Sequence, residues 1–478
     1  MLVSLTRVGP ARQSLTKGVA VTGVDTGALL RSATLPGPPP SVPAAELRAD
    51  GRAEGLLSVA LPGAWLGTPA AREAAFGYLG AVLAALAGSA RALGGALHAP
   101  GVRLAPTGPL PPLGGDLHGL ATVDDAEQEV LGNLLRRHSP TLIALTGRVR
   151  VGGPADRVGS RRLADSREHL AARYLASTDP RHLHHVRAEL RRRHGIADLL
   201  RMDVAPVPAG PGTPAETLVR CVDAQVSLAD LRAQALLLGA LALKARRTVR
   251  AGERERNVPQ SVIEANRARA VVHGLRARFV PETTGGGSTG GRSTGGPSAD
   301  PGRAQRTRPA REAARRLLTD LVPELRLLDA TAEELLPLLA PVELPSFGLP
   351  GLRTQDLLLR TARQNSSSAA LAQQAEYLLH DPRPGGELPA VLAQDSPGVL
   401  ELLLSDWRRT LAEGVAPAAG AEPSARSDRP GSGRQGNRGN GNPRRQGRRP
   451  GHQEPGRGRT TGLPQDRRPD RPQRKDGA

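Results

Sequence analysis

The stretch Glu216–Phe279 constrains the fold most, because it sets three different patterns in one run. Thr217-Leu-Val-Arg-Cys-Val222 has the β-branched, apolar composition of a buried strand, and Asp223-Ala-Gln ends it. A helix is predicted from Ser227, which stands three residues before Asp230 in a variant of the Ser/Thr-x-x-Glu capping box. Leu228, Leu231, Ala235, Leu238 and Leu241 recur at helical spacing, so one face of that helix belongs to the core. A second helix is expected over Ser261–Arg278, basic on one side, with Gly274 as a break suited to a helix C-terminus. A buried strand feeding two helices calls for a sheet with helices packed on it.

The order of residues within this run resembles the carboxylate–amine ligase family, the second type of glutamate–cysteine ligase. The matching positions are Arg220, Asp223, Ala224 and Gln225, then Glu264, Asn266, Arg267, Arg269, Ala270, Gly274, Leu275 and Ala277. The resemblance implies an α+β fold with an antiparallel sheet flanked by helices, of the glutamine-synthetase and glutamate–cysteine ligase kind. It also implies ATP and magnesium as cofactors, and a reaction in which a carboxylate becomes an acyl phosphate that an amine displaces.

Upstream, residues 18–30 alternate like a strand and turn at Asp25-Thr-Gly27, in the place of the family's glutamate-rich opening strand. Ala20, Val21 and Thr22 stand where the metal-binding glutamates belong, and magnesium beside ATP phosphates needs hard oxygen ligands. His118 matches the first histidine of a His-x-His-x-Gly strand, with Leu120 and Thr122 in the remaining places. Asp203 is kept from a Trp-Asp-x-Arg-Pro-His-Pro turn in which Ala205 and Val207 replace the Arg and His, and Leu218 replaces a strand Glu. Ser160-Arg161-Arg162 matches a Ser-x-Arg triplet, which makes Arg162 a fork-shaped donor for a carboxylate or phosphate. Gln373 follows a small-residue turn, as in the family's last motif. On this resemblance His118, Arg162 and Arg220 contact anionic groups, Asp203 and Asp223 orient them or hold a metal, and Asn266, Arg267 and Gln373 complete the motifs. Its span is roughly residues 18–413.

Other segments fill in the domain. Arg72–Leu97 reads as an amphipathic helix with Ala75, Leu79, Val82, Leu83 and Leu86 inward. Glu127–Ala144 reads as a buried helix pair broken at Ser139-Pro140. Glu312–Leu339 and Leu400–Leu411 resume helical periodicity. The histidines of His182-Leu-His-His185 and His194 follow no common zinc spacing, and the arginines around them repel a cation, so a solvated helix face is expected. Residues 283–301 form a Gly/Ser/Thr linker inside a domain running from 1 to 414, and 415–478 is an Arg/Gly/Pro-rich tail too poor in apolar residues to fold.

Charge separates three functional readings. The chain carries +19, and residues 421–478 hold 15 Lys/Arg against 6 Asp/Glu, so the tail supplies +9 of it. Phosphate-bearing partners are therefore favoured, and the absence of aromatic residues from the tail limits any nucleic acid it meets to non-specific, salt-sensitive contacts. Cys221 is the single cysteine, which excludes an intramolecular disulfide and fits a reducing cytoplasm. No signal-like start or membrane-length apolar run is read in the sequence. The first reading is a divergent ligase-like protein with impaired or lost catalysis and a pocket for ATP or an acidic amino acid. The second is an active ligase whose metal ligands come from Glu54, Asp124, Asp125 or Glu127. The third is a nucleic-acid-associated protein acting through 421–478, with the domain as a dimerising platform.

Overall fold

The structure is a computed structural model, described over residues 12–49, 54–104, 112–151, 159–166, 169–210, 214–282, 307–364 and 367–414. The linker at 283–301 and the tail at 415–478 lie outside these residues. Among the described residues, seven strands form one sheet: β1 (Arg12–Thr22), β2 (Glu46–Ala49), β3 (Leu56–Trp65), β4 (Ala96–His98), β5 (Leu117–Ala121), β6 (Val204–Val207) and β7 (Glu216–Val219). The order is β2-β3-β1-β5-β7-β6, with β4 also on β1, and every pairing is antiparallel. Helices flank the sheet, so the fold is α+β as the sequence implies.

Strand alternation divides the sheet into two faces. Gln13, Leu15, Lys17, Val19 and Val21 of β1 are buried against the helices. Thr16 and Gly18 face the other way, opposite Ala60 and Ser58 of β3. Three long helices supply most of the covering layer: α1 (Pro69–Ala92), α2 (Asp125–Thr146) and α3 (Leu228–Arg250).

In α1, Thr68 caps the N-terminus and Pro69 takes the first turn, where a missing N–H is harmless. By length and composition α1 could cross a membrane, yet Phe76, Leu79, Val82, Leu83 and Leu86 are sealed into the core. The expected break in α2 is absent: Pro140 sits inside one continuous helix. Proline there removes the bond to the carbonyl of Arg136, and the Ser139 hydroxyl donates to that same oxygen at 2.9 Å, so the freed acceptor is satisfied locally. Helix α3 is buried all round from Leu228 to Leu243 rather than on one face, because helices cover it on the side away from the sheet as well. Its cap is as predicted, the Ser227 hydroxyl accepting from Asp230 N at 3.1 Å.

Two strand boundaries differ from expectation. Residues 18–30 are not one strand and turn; β1 ends at Thr22, and Asp25 caps a short helix, Thr26–Ser32. Segment 217–222 leaves the sheet after Val219, since the Arg162 guanidinium donates to the carbonyls of Arg220 and Val222, each at 3.0 Å.

Further helices follow: α4 (Gln260–His273), α5 (Ala332–Glu343) and α6 (Thr354–Arg363) matter below. A buried charge cluster joins α1, α3 and α5. Glu334 accepts from Arg72 at 2.8 and 2.7 Å and from Arg232 at 2.8 Å, and Arg72 also donates to the carbonyl of Leu328 at 2.8 Å. At the end of α4, Gly274 adopts φ +54°, and a Cβ on Gly159 would strike its backbone. A Cβ on Gly147 would in turn strike the Gly159 carbonyl, so three backbone segments cross where only glycine fits.

Candidate anion-binding cleft

The open face of the sheet floors a cleft of about 810 Å³. Thr16, Ser58 and Ala60 rise from the strands, and Arg48, Arg150, Arg162, Arg220 and His169 stand around them. Asp165 and Asp116 are the acids at the lining. Asp165 faces Arg161 at 2.9 Å and Arg150 at 3.6 Å. Asp116 is turned into the sheet: it accepts from Lys17 Nζ at 2.9 Å, Gly18 N at 3.0 Å and Gln225 N at 2.9 Å. Burial pushes the Lys17 ammonium below its usual range, against the pull of Asp116.

Asp223 ties together the loops at one end of the cleft. Its carboxylate accepts from Ser160 Oγ and Arg162 Nε, both at 2.9 Å, and from Arg148 N at 2.8 Å. Arg162 also lies 3.1 Å from His169 Nε2. With the two carbonyls it binds, four of its five N–H groups are engaged within the protein. Asp203 is fully buried and paired with Arg267 at 2.5 and 2.9 Å, and Arg220 N donates to the Asp203 carbonyl at 2.8 Å. Five positions picked from sequence, Arg162, Asp203, Arg220, Asp223 and Arg267, thus fall in one hydrogen-bonded cluster.

The others fall elsewhere. His118 lies on the helix-covered face, 3.4 Å from Gln234 Oε1, and burial holds its imidazole down at about 4. Asn266 exchanges two hydrogen bonds with the backbone of Val280, at 2.9 and 2.7 Å. Gln373 is exposed on the helix Ser368–His380. Of the acids considered as substitute metal ligands, Asp124 caps α2 and Glu127 pairs with Arg246 at 3.0 Å, while Asp125 and Glu54 are exposed; none lines the cleft.

The described donor set does not fit magnesium. On the strands, the acids of the open face are Glu46, held by Arg48 at 2.6 Å, and Glu216, which accepts from Ser14 Oγ at 2.8 Å. Ala20 and Leu218 share that face without an oxygen to offer, Val21 points to the core, and Thr22 does not line the cleft. Among the described residues, no group of three or more His, Cys, Asp or Glu gathers as a metal site.

Sequence reasoning missed Arg48, Arg150, His169 and the Lys17–Asp116 pair. Lys17 left a trace: it is one of three lysines and occupies an inward position between Leu15 and Val19, which demands a buried partner.

No protein-family model matches the sequence, and no curated protein matches it. Among solved structures, a chain from the crystal structure of the complex between the prokaryotic ubiquitin-like protein Pup and its ligase PafA is similar, with a TM-score of 0.46 and 12% identity over 82% of this chain and 78% of that one. At that score the likeness carries no argument about what this chain does.

Proposed function

We propose that this protein is a divergent carboxylate–amine ligase-like protein, its catalytic step impaired or lost, whose sheet cleft still binds an anionic ligand. The observation that carries this reading is the lining: four arginines and a histidine around a sheet floor of Thr16, Ser58 and Ala60. Guanidinium groups at the rim of a cleft attract phosphate or carboxylate, and a floor without free carboxylates cannot gather the metal ions that phosphoryl transfer requires. The ligands in view are ATP and acidic amino acids, bound with little dependence on magnesium. The domain is taken to run from 1 to 414, and a reducing cytoplasm is taken from the single, buried Cys221.

Calorimetry with ATP, with and without magnesium, tests this on the full chain and on Arg48→Ala and Arg220→Ala. The expected result is weak binding that magnesium changes by less than about threefold and that each substitution lowers about tenfold. Tight magnesium-dependent binding, with ADP release in the presence of glutamate and an amine, would restore an active ligase and overturn the proposal.

A further inference from the structure

A second cleft, of about 820 Å³, lies behind the loop that borders the first: Gly147 and Val149 line it, whereas Arg150 lines the sheet cleft. Its apolar wall includes Pro341, Pro345, Leu349 and Leu359. Arg276, Arg311 and Arg363 stand at the same cleft, and among the described residues none of the three makes a hydrogen bond or close ion pair. The Nε of Arg311 is buried without a partner.

Several arginines elsewhere are paired instead. Arg72, Arg137, Arg232, Arg246 and Arg267 each meet a carboxylate within hydrogen-bond distance. At the second cleft, Arg353 donates to the carbonyls of Gly147 at 2.6 Å and Ala144 at 2.8 Å, so it serves the end of α2. The lining acid, Asp356, accepts from Arg353 N at 2.8 Å and attracts Arg363 only at longer range. Three guanidinium groups without a described partner thus line, together with one acid, a cavity of ligand size.

Guanidinium forks match the oxygens of phosphate, and a wall of proline and leucine suits a hydrophobic body. We infer that the second cleft binds a small phosphate-bearing molecule with an apolar body, its phosphate held by Arg276, Arg311 and Arg363 and its body by the Pro341–Leu349 wall. The site is separate from the sheet cleft and stands whether or not that cleft takes ATP.

Calorimetry on the full chain with phenyl phosphate, inorganic phosphate and phenol supplies the test. Phenyl phosphate is expected to bind at one site, at least about tenfold more tightly than either fragment. Arg311→Gln, and separately the double variant Arg276→Gln/Arg363→Gln, should each weaken it about tenfold or more, while Arg48→Gln in the sheet cleft changes it less than about twofold. Arg276 and Arg363 are exposed, so the double variant keeps the test valid if Arg311→Gln fails to fold, which circular dichroism reports. No phenyl phosphate binding up to about 1 mM, or binding lost in Arg48→Gln and retained in the double variant, overturns the inference.

Discussion

On the helix-covered side of the sheet, Lys17 meets Asp116, Arg246 meets Glu127, and Glu334 sits between Arg72 and Arg232; on the open side, Arg48, Arg150, Arg162, Arg220 and His169 surround one cleft. Inside, these cations are matched by acids, and Arg136 by the carbonyl of Val258, because an unmatched buried charge is too costly to fold around. At the cleft the pairing is looser: Arg48 and Arg150 meet exposed acids, Arg162 is held by Asp223, and the rim stays open to incoming ligands. The placement of acids distinguishes architecture from a binding surface.

The sharpest way to break this contrast is to remove an inner acid. Glu334→Ala should cost about 3–5 kcal/mol in urea denaturation, because it leaves buried Arg72 without its acid and removes one of the two acids of Arg232. A loss under about 1 kcal/mol would mean that the inner pairs do not carry the fold.

Acid should act next. The folded pKa of His118 is depressed by burial to about 4, below the ordinary 6.5, so the unfolded chain binds the extra proton first. Its contribution is fully present above pH 6.5 and is lost as pH falls toward 4, amounting to about 3 kcal/mol there. His118→Gln should flatten that part of the stability-against-pH curve, and an unchanged slope would remove His118 from the account.

Outer arginines should behave in the opposite way. Arg48→Ala is expected to alter stability by less than about 0.5 kcal/mol, since the Arg48–Glu46 pair is exposed, while lowering anion affinity about tenfold. Thermal melts and calorimetry on one preparation compare the two effects directly. Smallest in energy is a kinetic contrast: Cys221 is 1% exposed, and burial pushes its thiol well above the usual range, so a thiol reagent should label it slowly in the native protein and quickly in denaturant.

Much of the fold was legible where periodicity and burial agree. The inward residues of α1, the Ser227 cap and the burial of Cys221 follow from local pattern alone. The α2 break was misread because a proline implies a lost bond, and only the neighbouring Ser139 hydroxyl tells that the loss is made good. The end of β7 depends on a partner distant in sequence, Arg162 with two carbonyls, which no strand propensity encodes, whereas β1 ends where the nearby Asp25 caps the next helix. At the site, Arg162, Arg220 and Asp223 come together because one guanidinium reaches both the Asp223 carboxylate and the Arg220 carbonyl. Arg48 and His169 stayed hidden, since a cleft is made by elements meeting in space and a lone arginine on a short strand looks like any solvated charge.

The crossing of Gly147, Gly159 and Gly274 sets how the two clefts would sense each other. One of them opens beside Gly147 and Val149, the other beside Arg150, so a single peptide segment separates their walls. With only glycine at that crossing the backbones pack directly on one another, so charges on its two sides interact through a medium less polarisable than water. Two anions held on its opposite sides would repel, making the second to bind the weaker, and linkage requires the same penalty whichever arrives first.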